Sequence, residues 1–64
     1  MIGHIQEQLI EIAKKNGIIT SFQAKKFYAN IQIAIASLNS LEVQGYLKFI
    51  GNGEWKYIKN IHDD

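Results

Sequence analysis

The feature that most constrains the fold is a helical apolar pattern that ends at a glycine and continues directly into a short hairpin. Leu38 lies in the helical pattern, Gly45 ends it, and a Gly-Asn-Gly run at 51–53 separates two segments rich in aromatic residues. Glycine tolerates the left-handed backbone that follows a helix, and Asn-Gly is a strong hairpin signal. The sequence therefore predicts a helix over about 30–44 and a hairpin over about 46–59.

Two other patterns predict two further helices. Thr20 or Ser21 can cap a second helix over about 21–28, and residues 18–20 form a β-prone link in front of it. A first helix over about 2–16 follows from apolar residues at i, i+3, i+4 and i+7 spacing, which are Ile2, Ile5, Leu9, Ile12 and Ala13.

A chain of 64 residues can form one domain but not two, so we expect a single α+β domain over 1–64 with a tail at 60–64. There is no cysteine, which excludes disulfides and thiolate metal sites. So small a domain is marginally stable, which makes a homodimer possible. Ile10, which lies off the apolar stripe, and the end of the chain at 58–61 are the candidate dimer surface.

The sequence predicts a cytoplasmic protein that is not an enzyme and has no cofactor, metal or membrane partner. No apolar run approaches the length of a membrane span, and no leader is recognisable. His4 and His62 lie near opposite ends, and Glu7 and Glu11 are typical of an ordinary exposed helix surface. Such residues do not indicate a catalytic or metal-binding cluster.

The third helix has an inward and an outward face. Its inward stripe comprises Ala34, Leu38 and Leu41, to which Ile31 and Ile35 can be added. The outward residues are Gln32, Ile33, Ala36, Asn39 and Ser40. On an isolated surface helix, Gln32, Asn39 and Ser40 would simply be solvated.

Two registers are open for the hairpin, and a slip of one residue exchanges its faces. A two-residue turn at 52–53 pairs Ile50 with Trp55 and displays Trp55 and Tyr57. A three-residue loop with a bulge is preferred, because it buries the aromatic side chains. That register places Leu47, Phe49, Trp55 and Tyr57 on one face and Lys48 and Lys56 on the other.

Nearly the whole chain resembles the winged helix-turn-helix family of DNA-binding domains. The run 24–27 (Ala-Lys-Lys-Phe) resembles the family's second helix, and Asn30 stands where its third helix usually begins. The segment 38–47 is similar to the junction between helix and wing, and 51–55 is similar to a wing tip. The resemblance implies three helices plus a C-terminal β-hairpin wing, and a small transcriptional regulator of an archaeal or viral kind.

The resemblance also implies double-stranded DNA as the partner. The third helix would read bases in the major groove, where amides pair with adenine and apolar groups contact thymine methyls, through Asn30, Gln32, Ile33, Ala36, Asn39 and Ser40. The contacts to the DNA backbone or minor groove would come from Lys25, Lys26, Lys48, Asn52 and Lys56.

Two other functions stay open. The net charge is only +1, all seven cations are lysines, and the third helix carries no positive charge. That helix could therefore pack on a protein partner instead of DNA. RNA binding is the third possibility, because displayed aromatic residues could stack on unpaired bases.

Overall fold

The computed structural model describes residues 3–60 and shows a small α+β fold of three helices and a three-stranded antiparallel sheet. In chain order the elements are α1 (His4–Asn16), β1 (Ile18–Thr20), α2 (Ser21–Lys25), α3 (Ile31–Val43), β2 (Leu47–Gly51) and β3 (Glu54–Tyr57). The strands lie in the order β1-β3-β2, so β3 is central. Within residues 3–60, no helix is both long and apolar enough to cross a membrane.

The helix ends confirm the predicted caps. The Thr20 hydroxyl accepts a hydrogen bond from the backbone N–H of Gln23 at 3.1 Å, and the Asn30 side chain accepts one from the backbone N–H of Ile33 at 3.0 Å. These contacts satisfy amide groups that the first turn of a helix leaves unpaired. At the other ends, Gly17 and Gly45 adopt φ angles of 86° and 93°, so each ends its helix in the left-handed region.

The region around α2 differs from its prediction in two ways. The link at 18–20 is a strand whose three residues pair with β3, which adds a third strand to the expected hairpin. The second helix ends at Lys25 instead of residue 28. The backbone N–H groups of Phe27 and Tyr28 bond to carbonyls three residues earlier, so the chain tightens into a turn there.

The core confirms the predicted inward stripe of α3 but corrects that of α1. Ile10 is fully buried, so its assignment to a dimer surface is wrong, whereas Ile5 is 38% exposed despite its place in the predicted stripe. The buried residues of α1 are therefore Leu9, Ile10 and Ala13, on a helix that contacts β1, β3 and α3. The buried apolar residues are Leu9, Ile10, Ala13, Ile19, Ala24, Ala34, Leu38, Leu41, Leu47 and Trp55.

The C-terminal tail also begins differently from its prediction. Asn60 is only 2% exposed, and its amide donates a hydrogen bond to the Glu11 carboxylate at 2.6 Å. This residue therefore belongs to the fold. Ile58 is 48% exposed, as a dimer surface would require, while residues 61–64 lie outside the described residues.

The hairpin adopts the strand pairing predicted for the register with a bulge. Lys48 pairs with Lys56 and Phe49 with Trp55, and the register shifts between Phe49 and Gly51, so Ile50 is the bulge. The turn, however, has two central residues, 52 and 53, whereas the preferred register was expected to have a three-residue loop. The aromatic side chains are not all buried. Trp55 is 2% exposed, whereas Phe49, whose ring centroid lies 4.8 Å from that of Trp55, is 45% exposed.

Candidate functional site

The outer face of α3 carries uncharged side chains. All five residues that were predicted to face outward are exposed, namely Gln32, Ile33, Ala36, Asn39 and Ser40. Within residues 3–60, the side-chain amides of Gln32 and Asn39 have no hydrogen-bond partner. Both amides can therefore donate to and accept from a ligand without breaking a contact in the protein.

Val43 belongs to the same face but was not among the residues predicted to face outward. Its side chain is 88% exposed and lies in the last turn of α3. The spacing of Gln32, Ala36, Asn39 and Val43 is that of a single helix stripe, so extending the outward pattern by one turn would have identified it.

Two of the predicted base-reading residues already have partners within the protein. The oxygen of the Asn30 side chain caps α3, which leaves its NH₂ group for a ligand. The Ser40 hydroxyl accepts a hydrogen bond at 3.1 Å from the side chain of Gln44, which also donates to the Ser40 carbonyl at 3.2 Å. Gln32 and Asn39 thus differ from these two residues in having the whole amide group available to a ligand.

A half-buried hydroxyl holds α3 against the rest of the domain. The side chain of Gln6 on α1 donates to the Ser37 hydroxyl at 3.1 Å, and the Tyr28 hydroxyl lies 2.6 Å from the same oxygen. Ser37 therefore joins α3 to α1 and to the turn that precedes it. Because Ser37 lies on the inner side of α3, these contacts orient the outer face without occupying it.

The four predicted backbone-contacting lysines are all exposed, and they lie on the elements that flank α3 in the chain. Lys25 is the last residue of α2 and Lys26 is its C-cap, and α2 packs against α3. Lys48 and Lys56 are directly opposite each other on β2 and β3, and neither forms an ion pair with another described residue. Like charges placed opposite each other in this way destabilise a sheet.

The tip of the hairpin presents Asn52. Asn52 and Gly53 have φ angles of 56° and 68°, as expected for the two central residues of a type I′ turn. Gly53 anchors the tip, because its carbonyl accepts a hydrogen bond from the Ser21 amide at 2.9 Å. A Cβ at Gly53 would lie 3.2 Å from the Ser21 hydroxyl, so a larger residue would disturb this junction. Asn52 is left exposed at the end of the turn.

A separate groove of about 320 Å³ lies between α1 and the turn after α2. Glu11 on its wall is exposed as predicted, but Glu7 is half-buried. The Nε2 atom of His4 lies 3.0 Å from the Nε2 atom of Gln8. The carboxylate of Glu11 accepts its hydrogen bond from Asn60. The described residues contain no group of three or more histidine, cysteine, aspartate or glutamate side chains that could hold a metal ion. The groove is lined by His4, Glu7, Gln8, Glu11, Ile12 and Phe27.

Comparisons of the chain with models of protein families, with curated proteins and with solved structures found no significant match.

Proposed function

We propose that this chain is a winged helix-turn-helix domain that binds double-stranded DNA as a transcriptional regulator, with α3 in the major groove. The element order is compatible with that family, since α2 directly precedes α3 and the hairpin directly follows it. The sheet of three strands fits the same arrangement, with the β2–β3 hairpin as the wing.

The observation that carries this proposal is the pair of exposed amides on the outer face of α3, which have no hydrogen-bond partner among residues 3–60. Gln32 and Asn39 lie seven residues apart, which is about 10 Å along a helix and corresponds to roughly three base-pair steps. Their free amides can each bind adenine through two hydrogen bonds, and Ala36 between them can contact a thymine methyl. The chain has no arginine, the residue that most often reads guanine. A site rich in A·T pairs is therefore the expected target.

The lysines on the hairpin also support the proposal. Lys48 and Lys56 repel each other in the free protein because they are directly opposite and have no described acidic partner. A phosphate group placed between them would turn this repulsion into two attractive contacts. DNA backbone binding thus accounts for a charge arrangement that is unfavourable for folding alone.

A protein partner is the second candidate for the same face. Val43 is 88% exposed and Ile33 is 46% exposed, so both would lose water-accessible apolar surface against a partner. Binding through such contacts would respond little to salt, whereas contacts between lysine and phosphate weaken steeply as salt rises. RNA binding is less supported, because stacking on bases needs an exposed Trp55. Trp55 would be exposed only if it paired with Ile50, but it pairs with Phe49 and is 2% exposed.

An NMR titration of isotopically labelled protein tests the proposal. The ligand is a short A·T-rich duplex, the control is a G·C-rich duplex of equal length, and both are added at low and at moderate salt. We expect larger shifts with the A·T-rich duplex at Gln32, Asn39 and the hairpin lysines, and weaker binding at the higher salt. An absence of shifts at low salt in a folded protein would reject DNA binding and favour the protein partner.

A further inference from the structure

At the outer edge of β2, a side chain from α3 binds one backbone amide. The backbone N–H of Ile58 donates to the Tyr46 carbonyl at 2.9 Å, so this pair bonds across the hairpin. Because bonding alternates along an antiparallel ladder, the N–H of Phe49 points away from β3. It donates instead to the Glu42 carboxylate at 3.0 Å.

At the outer edge of β1, a side chain from α2 likewise binds one backbone amide, and this contact is also half of the capping box of α2. The N–H of Tyr57 donates to the Gly17 carbonyl at 3.0 Å, and that of Ser21 donates to the Gly53 carbonyl at 2.9 Å. The N–H of Thr20 therefore points outward. The Gln23 side-chain oxygen accepts its hydrogen bond at 2.9 Å.

We propose that Glu42 and Gln23 act as acceptors that close the two free edges of the sheet against strand addition by a second copy of this chain. An edge strand with unpaired N–H and C=O groups is a template for another strand. The β2 edge has the greater need of closure, because Phe49 and Ile50 beside it are 45% and 48% exposed. This inference does not depend on DNA binding.

A second copy is the partner that best fits an opened β2 edge. If two β2 strands meet antiparallel about a twofold axis at Phe49, the N–H and C=O of each Phe49 can bond to those of the other. The two exposed rings would also come together in that arrangement. Glu42 prevents this pairing because its carboxylate oxygen occupies the Phe49 N–H as an acceptor.

The test compares Glu42→Ala with Glu42→Gln, which keeps an acceptor oxygen but removes the charge. We expect the mass of Glu42→Ala, measured by light scattering after size exclusion, to rise up to twofold above wild type as protein concentration increases. We expect Glu42→Gln to keep the wild-type mass. In dilute solution, where Glu42→Ala is not associated, its Phe49 amide should exchange roughly 2- to 10-fold faster than that of wild type.

Two results would overturn the proposal for β2. One is a folded Glu42→Ala protein that keeps the wild-type mass at every concentration. The other is equal association of Glu42→Gln, because charge and not the acceptor would then close the edge. If Glu42→Ala does not fold, the pair Gln23→Ala and Gln23→Glu decides the matter at β1. Association of the alanine variant alone supports edge closure there, and any other pattern rejects it.

Discussion

The hydroxyl of Tyr28 lies 2.6 Å from the hydroxyl of Ser37, and this contact joins the turn before α3 to the helix itself. Gln6 on α1 donates to the same Ser37 oxygen, so one serine connects three parts of the domain. Apolar packing on the inner side of α3 is not directional. The hydrogen bonds at Ser37, together with the one from the Phe49 amide to Glu42, therefore restrict how α3 is rotated and which residues its outer face presents.

Ser37→Ala should lower the free energy of unfolding by about 1–3 kcal/mol, because it leaves two half-buried polar groups without their partner. Urea denaturation measures the loss. Ser40→Ala is the matched control on the outer face of the same helix, and it should change stability by less than about 0.5 kcal/mol. Equal losses from both variants would show that Ser37 is not a structural junction.

Gln32→Ala should relax base preference at one position of a DNA site and leave the dependence of binding on salt unchanged. The reason is that the Gln32 amide is exposed and uncharged, so it can contribute hydrogen bonds to a base but no counterion release. Binding to duplexes with single base-pair changes, measured by fluorescence anisotropy, checks this. An unchanged pattern of preference would remove Gln32 from the reading face.

Lys56→Gln should have opposite effects on stability and on DNA affinity. Removing its charge ends the repulsion with Lys48, so the free protein should gain up to about 1 kcal/mol at low salt. The same change should weaken binding to all duplexes and reduce the salt slope by about one. Thermal unfolding and anisotropy titrations over a salt series provide the two measurements.

The matched controls separate these two effects. Lys48→Gln should behave as Lys56→Gln does, since the two lysines face each other. Lys14→Gln, on the exposed end of α1, should leave DNA affinity nearly unchanged. If Lys56→Gln lost stability and kept full affinity, the hairpin lysines would not be a phosphate-binding pair.

Leu38→Ala should cost about 2–5 kcal/mol and can unfold so small a domain, because Leu38 is completely buried in the core. Circular dichroism during urea titration measures this. Val43→Ala, which truncates an 88% exposed side chain on the same helix, should have little effect on stability. A fully stable Leu38→Ala protein would be incompatible with the inward face of α3.

The N-caps of α2 and α3, the glycines that follow α1 and α3, and the inward face of α3 follow from the sequence alone. Thr20, Asn30 and Gly45 act through hydrogen bonds or backbone angles within a few residues, so their effects can be predicted locally. The strand pairing of the hairpin was also predictable, because alternating side chains limit it to two registers and only one of them buries Trp55. The two-residue turn that accompanies this pairing was not predicted. The outward residues of α3 followed from the same helical period.

Only the tertiary structure decided the features that depend on distant partners. Three residues at 18–20 have no local signal that distinguishes a strand from a link until β3 lies beside them. The burial of Ile10 instead of Ile5 depends on where the sheet packs against α1. Glu42 and Phe49 meet because α3 leads directly into the edge strand, and a helical pattern cannot show which polar group will face a sheet edge. Local sequence thus determines the helix caps and the glycines that end helices, while packing between elements determines which strands pair and which surfaces remain free.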